Sequence, residues 1–312
     1  MKRPNLIINA LLTFVLSTTL LAQEPTPPAA KPAGPTVQLS LIVTDSKNKP
    51  VNTISKEDIH LVEDKIEQTV LSLDPDVRPV DLGLLIDASG SVRSLMESIR
   101  EAARLVVVNR GPEDEIFIER FISTDKIQRL QDFTNDEDVL TRAIKQIFVE
   151  GGQSAIIDAV YTGAHYVAEH NRNADRRKAL VLFTDGEDRL STYQLEKLLS
   201  LLHQEKVQVF VVGLTSDLDK EAGLTRLSSR DKAEKLLNTI GEESGGRVFF
   251  PKNRTELVDS IMQIVHDLQS QFRITYQSSN AETKGIRKVK VKLDSPSGQK
   301  LKAIVPSGYE SK

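Results

Sequence analysis

Asp87, Ser89 and Ser91 stand at alternate positions where an apolar run, LGLLI, stops. Two other stretches also carry oxygen donors: Gly151-Gly152-Gln153-Ser154, and Asp185-Gly186-Glu187-Asp188 directly after KALVLFT. Hydroxyls and carboxylates without histidine or thiol are the donor set of a hard cation, Mg²⁺, Mn²⁺ or Ca²⁺. A sharp turn after a strand can aim every second side chain at one ion, and Gly90, Gly151 and Gly152 would let the backbone come close. Each string alone is weak, because Asp and Ser also cap helices and fill turns. Capping of the next helix by Asp87 and Ser91 is therefore the competing reading. Asp158, further along, reads as a buried or capping carboxylate and not as a ligand.

The three loops meet only if the elements before them are neighbouring strands of one sheet. From about Val80 to Ser270 strand and helix patterns alternate. Leu82–Ile86, Glu115–Ile122, Lys178–Thr184 and Val207–Gly213 read as strands, with a short one at Arg247–Phe250. Helical spacing runs through Val92, Leu95, Ile99, Ala103 and Val106, through Asp136–Phe148, through Ile157, Val160, Ala164 and Val167, and through Leu195–Gln204. A last helix starts at Asn253, with Glu256 three residues on, and carries Leu257, Ile261, Ile264, Val265 and Leu268 on one stripe. Such alternation predicts βαβ units and a doubly wound, mostly parallel α/β sheet. Ligands of such sheets bind beyond the carboxyl ends of the strands, where the three loops would lie.

The flanks have a different grammar. Val37, Leu39, Leu41 and Val43 alternate, and short strands follow at His60–Val62 and Ile66–Leu73, with a single helical turn capped by Ser55 before them. At the other end Phe272, Ile274 and Tyr276 alternate, then Val289, Val291 and Leu293 between Lys288, Lys290 and Lys292, then Leu301, Ala303 and Val305 after the SPSG turn. Neither flank has strands enough to stand alone, so both are expected to pair into one small β-sandwich-like module with the α/β domain inserted. The lysine alternation reads as a solvated sheet face, with a binding strip as the alternative.

Residues 1–22 have the form of a secretory signal: Lys2 and Arg3, an apolar run from Leu6 to Leu21, then Ala22. Cleavage after Ala22 is expected, with a retained membrane anchor as the alternative. Residues 23–35, rich in proline and alanine, read as an extended tether. The 312-residue chain is 39% hydrophobic and 27% charged, an ordinary globular balance. It has no cysteine, which excludes disulfides, thiolate metal sites and cysteine nucleophiles. Its net charge of −3 becomes −5 if Lys2 and Arg3 leave with the acid-free leader, which argues against nucleic acid as a partner.

DASGS, GGQSAIIDA and FTDGED, in this order after apolar strands, resemble a von Willebrand factor type A (VWA) domain with its metal-ion-dependent adhesion site. The likeness covers roughly residues 78–270. The flanks resemble a bacterial group of secreted proteins carrying this domain, with VTDSKNKPV and EDIHLVEDKIEQ before it and Gly308-Tyr309 after it. The resemblance implies this organisation: signal 1–22, linker 23–35, β module 36–77, VWA domain 78–270 and the rest of the β module 271–312. It also implies the metal site. Ser89 and Ser91 bind the ion directly, Ser154 adds a third hydroxyl, and Asp87 and Asp185 act through the ion or its waters. Serine at 154 departs from the usual threonine and lacks the methyl group that restricts its rotamer. The implied cofactor is a divalent cation, Mg²⁺ first and Mn²⁺ or Ca²⁺ next. The implied function is extracytoplasmic binding, in which a protein partner's carboxylate completes the ion's shell. Periplasm, cell surface or medium is the expected location.

An enzyme is not expected. The alternative is metal-dependent phosphotransfer or phosphatase chemistry on Asp87. Against it, Ser89 stands where a second acid would be needed, and no lysine lies in the motif loops. No Walker loop, GxSxG elbow or HExxH string occurs. The five histidines are scattered and read as surface or packed residues. Asp217, Asp219 and Glu221 read as an ordinary polar loop, lacking the spacing and glycine of a calcium loop.

Overall fold

The computed structural model describes residues 34–170, 175–218, 227–280, 284–294 and 298–311. The signal-like segment 1–22, most of the tether, Asp219, Glu221 and residues 295–297 of the SPSG turn lie outside the described residues.

The leading flank supplies β1 (Thr36–Asp45), a 3₁₀ turn (Lys56–Asp58), β2 (Ile59–Glu63), β3 (Ile66–Gln68) and β4 (Val70–Pro75). The central part then runs β5 (Val80–Asp87), a 3₁₀ turn (Gly90–Leu95), α1 (Met96–Val108), β6 (Glu115–Phe121), β7 (Ile127–Thr134), α2 (Glu137–Lys145) and α3 (Ile156–Glu169). It continues through β8 (Arg177–Thr184), α4 (Leu195–Glu205), β9 (Val207–Gly213), α5 (Ser229–Ser244), β10 (Val248–Phe249) and α6 (Arg254–Gln269). The trailing flank gives β11 (Phe272–Gln277), β12 (Gly285–Leu293), β13 (Leu301–Ile304) and β14 (Gly308–Ser311).

Among the described residues the central sheet has the order β10-β9-β8-β5-β6-β7, parallel except for β7. The doubly wound fold is as expected. All eight residues of β5 are buried because both faces are covered. Leu82, Leu84 and Ile86 pack with α1, α2 and α6, whereas Leu85 packs with α3. Gly83 is needed on the second face, since a Cβ there would sit 2.4 Å from the Phe117 ring.

Three elements differ from the sequence reading. The helix after DASGS begins as six residues of 3₁₀ before α1 takes over at Met96. Strand β7 was not anticipated. Its side chains are Gln, Arg and Asp as much as apolar, and it is held by Arg129, which pairs with Glu119 at 3.2 Å and lies 3.2 Å over the Tyr166 ring. Helix α5 was also missed, because only Ala233, Leu237 and Ile240 form its apolar stripe; a capping box between Ser228 and Asp231 starts it.

The flanks form two antiparallel sheets, β13-β1-β11-β4 and β14-β12-β2-β3, each mixing strands from both ends of the described chain. The Ile66–Leu73 stretch is two strands in different sheets, with the change at Thr69. Leu41, Leu61, Ile274, Tyr276 and Val289 lie in the core between the sheets. Within it the buried Glu63 carboxylate accepts hydrogen bonds from Tyr276 Oη (2.6 Å), Tyr309 Oη (2.9 Å) and Ser278 Oγ (2.6 Å). Among the described residues no helix is long and apolar enough to cross a membrane.

Candidate metal centre

The carboxyl end of β5 delivers Asp87 to the rim with its carboxylate wholly buried. Its Oδ1 accepts the Ser89 N–H at 2.9 Å. Its Oδ2 accepts Ser154 Oγ at 2.9 Å and Thr184 Oγ1 at 2.6 Å. Ser89 is buried and its Oγ lies 3.0 Å from Ser91 Oγ, while Ser91 is exposed, so the donors run from the interior to solvent. Ser89 begins the 3₁₀ turn, but its side chain makes no capping bond.

The second loop is strapped to the first by Gly90 N–H to Gly152 O (3.3 Å) and Glu150 N–H to Ala88 O (3.3 Å). Gly152 has φ +104°, and a Cβ there would meet Ile122 at 2.9 Å, so glycine is required on both counts. The third loop brings Asp185, 3% exposed, with Oδ1 accepting the Glu187 N–H at 3.1 Å. Its Oδ2 is buried and has no hydrogen-bond partner. The structure thus brings Asp87, Ser89, Ser154 and Asp185 to one rim, with Ser91 at the solvent side.

Burial pushes the Asp87 carboxyl up to about 6; the Thr184 hydrogen bond opposes this and the nearby Asp185 charge adds to it. Two buried carboxylates lie close together, and among the described residues neither makes an ion pair. An orphaned buried oxygen, uncompensated negative charge and three hydroxyls fit a hard divalent cation.

Sequence reasoning missed Thr184 and Asp188. Asp188 accepts Ile156 N–H at 2.7 Å and Ser191 Oγ at 2.5 Å, doing for α3 what its own N-cap, Ala155, cannot. Asp158 is likewise buried and accepts Thr124 Oγ1 (2.5 Å), Thr192 N–H (2.9 Å) and Tyr193 N–H (2.8 Å). Burial works to raise its carboxyl, but these bonds prevail and hold it below the usual range. It fixes the 190–193 segment beside Ser154.

A second cluster, Asp81, Glu115 and His170, sits at the opposite, amino end of the sheet, with ligand atoms within 4.8 Å of one another. Arg176 lies among them, its Nε 2.6 Å from Asp81, so a guanidinium already neutralises that cluster.

The fold and rim define a doubly wound α/β domain with a cluster of carboxylates and hydroxyls at the carboxyl edge of its sheet. The chain belongs to the von Willebrand factor type A domain family, whose model matches residues 81–271. Similar solved structures include a von Willebrand factor type A protein from Catenulispora acidiphila, at 9% identity over 91% of this chain and 74% of that one, TM-score 0.49. BatB from Bacteroides thetaiotaomicron shares 15% identity over 61% of this chain and 100% of that one, TM-score 0.47. Proximal thread matrix protein 1 from the mussel byssus, with a zinc-occupied MIDAS motif, shares 20% identity over 67% of this chain and 50% of that one, TM-score 0.49. No functionally curated protein matches the sequence.

Proposed function

We propose that this chain is an exported, metal-dependent protein-binding module. Ser89, Ser91 and Ser154 hold a divalent cation, most simply Mg²⁺, with Asp87 and Asp185 supplying the negative charge. Once bound, the ion would offer an open coordination position to an acidic side chain of a protein partner. The observation that carries this reading is Asp185 Oδ2, buried and unpartnered beside the buried Asp87 carboxylate. Export rests on the signal-like form of residues 1–22.

Binding is favoured over phosphotransfer because Asp87 is enclosed. Both its oxygens already accept hydrogen bonds and none of its surface is exposed, which suits a fixed anion better than a nucleophile. Calorimetry with Mg²⁺ and Mn²⁺ tests the assignment. Asp87→Ala is expected to abolish the binding heat while the circular dichroism stays native-like, and equal affinity in the variant would remove the metal site. Metal-dependent turnover of a phosphate-ester panel, lost in Asp87→Asn, would overturn the binding reading.

A further inference from the structure

A groove of about 960 Å³ runs between the flanking sheets and the β10 edge of the central sheet, remote in sequence from the metal-site loops. Strand β12 contributes Lys288, Lys290 and Lys292 to its lining and β13 contributes Lys302; the 246–250 segment contributes Phe249 and Phe250. All four lysines are exposed, and none forms an ion pair among the described residues. Among the lining residues the acids are Glu242 and Glu243, the latter accepting a hydrogen bond from Ser307 Oγ; outside the lining, Asp64 accepts the Lys288 N–H at 3.0 Å and is paired with Arg287 at 3.1 Å. Arg247 adds no free charge, being bound to Asp267 at 2.7 Å. On a chain of net charge −3 this is a concentrated positive strip.

The spacing is the informative part. Residues two apart on a strand are separated by about 6.7 Å, and the same distance separates alternate side chains of any extended peptide. We infer that this groove docks an extended peptide bearing acidic residues at alternate positions. Its acids face Lys288, Lys290 and Lys292, and its intervening apolar side chains face Phe249 and Phe250. Lysine suits this role, because a flexible point charge accepts carboxylates without the planar register a guanidinium needs. The inference does not depend on the metal reading.

The test is fluorescence anisotropy of a short labelled peptide alternating glutamate with valine, at low ionic strength and with chelator present. Saturable binding is expected, weakened about tenfold or more in the Lys288→Glu/Lys290→Glu/Lys292→Glu variant. It should be retained in Arg142→Glu/Lys145→Glu/Lys232→Glu, whose exposed cations lie outside the groove. A peptide of the same composition with its glutamates in one block should bind more weakly. The Lys→Gln triple variant repeats the measurement if charge reversal disturbs folding, as checked by thermal melting. Equal binding by the β12 variants, equal binding of the blocked peptide, binding that appears only when the chelator is replaced by Mg²⁺, or lysine-dependent binding of anionic phospholipid vesicles without peptide binding would each overturn the inference.

Discussion

Glu119 shows how a single buried acid ties stability to pH. It lies on β6 between Phe117 and Phe121, 1% exposed, and its Oε1 has no partner. Burial pushes its carboxyl from the usual 4.5 up to about 7, although Arg129 pulls the other way. The folded protein therefore holds a proton that the unfolded chain releases. The contribution is complete below about pH 4.5 and is lost as the pH rises through about 7. Glu119→Gln should remove this slope. Urea midpoints at about pH 5 and about pH 8 should show the wild type losing on the order of 2 kcal/mol relative to the variant. Glu119 has no mark in the sequence, because EIFIERF reads as a strand whatever its charges contact. Asp87, Ser89 and Asp185 were legible for the opposite reason, since they end or closely follow apolar runs, and Ser154 through the glycine pair before it. Thr184 was hidden because threonine is what a strand contains anyway. Its hydroxyl acquires a function only when β8 is laid beside β5.

At the scale of elements, the junction after α5 is the point most exposed to damage. Gly245 ends the helix at φ +77°, and a Cβ there would sit 2.4 Å from Pro306 N. The same turn is tied to the trailing flank by Ser307 N–H to Glu243 O at 3.1 Å. Gly245→Ala combines backbone strain with a clash against another backbone. It should lower the unfolding free energy by about 1–3 kcal/mol, read as a shift in the urea midpoint at unchanged slope. The elements themselves were legible in proportion to their apolar signal. Strands β5, β8 and β9 are buried on both faces and read as largely apolar runs, interrupted only by Asp81 in β5 and Gln208 in β9 and opening on Arg177-Lys178 in β8. Helix α5 and strand β7 are held by long polar side chains and narrow stripes, so their partners had to be seen before they made sense. The split at Thr69 depends on which sheet each half joins, which local sequence does not encode.

Over the whole molecule, the order β13-β1-β11-β4 sets β11 between two strands of the leading flank. A chain ending at residue 270 would lose β11, β12, β13 and β14 together, leaving β1 and β4 with open edges. Such a chain is expected to show fast hydrogen exchange throughout residues 36–75 and slow exchange in β5, β8 and β9. Protection of β1 in the shortened protein would mean that the leading flank is stable by itself. The pairing of Thr36 with Gln277 also has a temporal consequence. During synthesis β1 emerges early, yet its partners β11 and β13 follow only after the entire α/β domain has been made. The loop to be closed is long, and contacts of such high sequence separation form slowly. Closing the flanking sheets is therefore expected to be the last step of folding. Until that step the apolar faces of β1 and β2 stay open to other chains, which makes this interval the period of greatest aggregation risk.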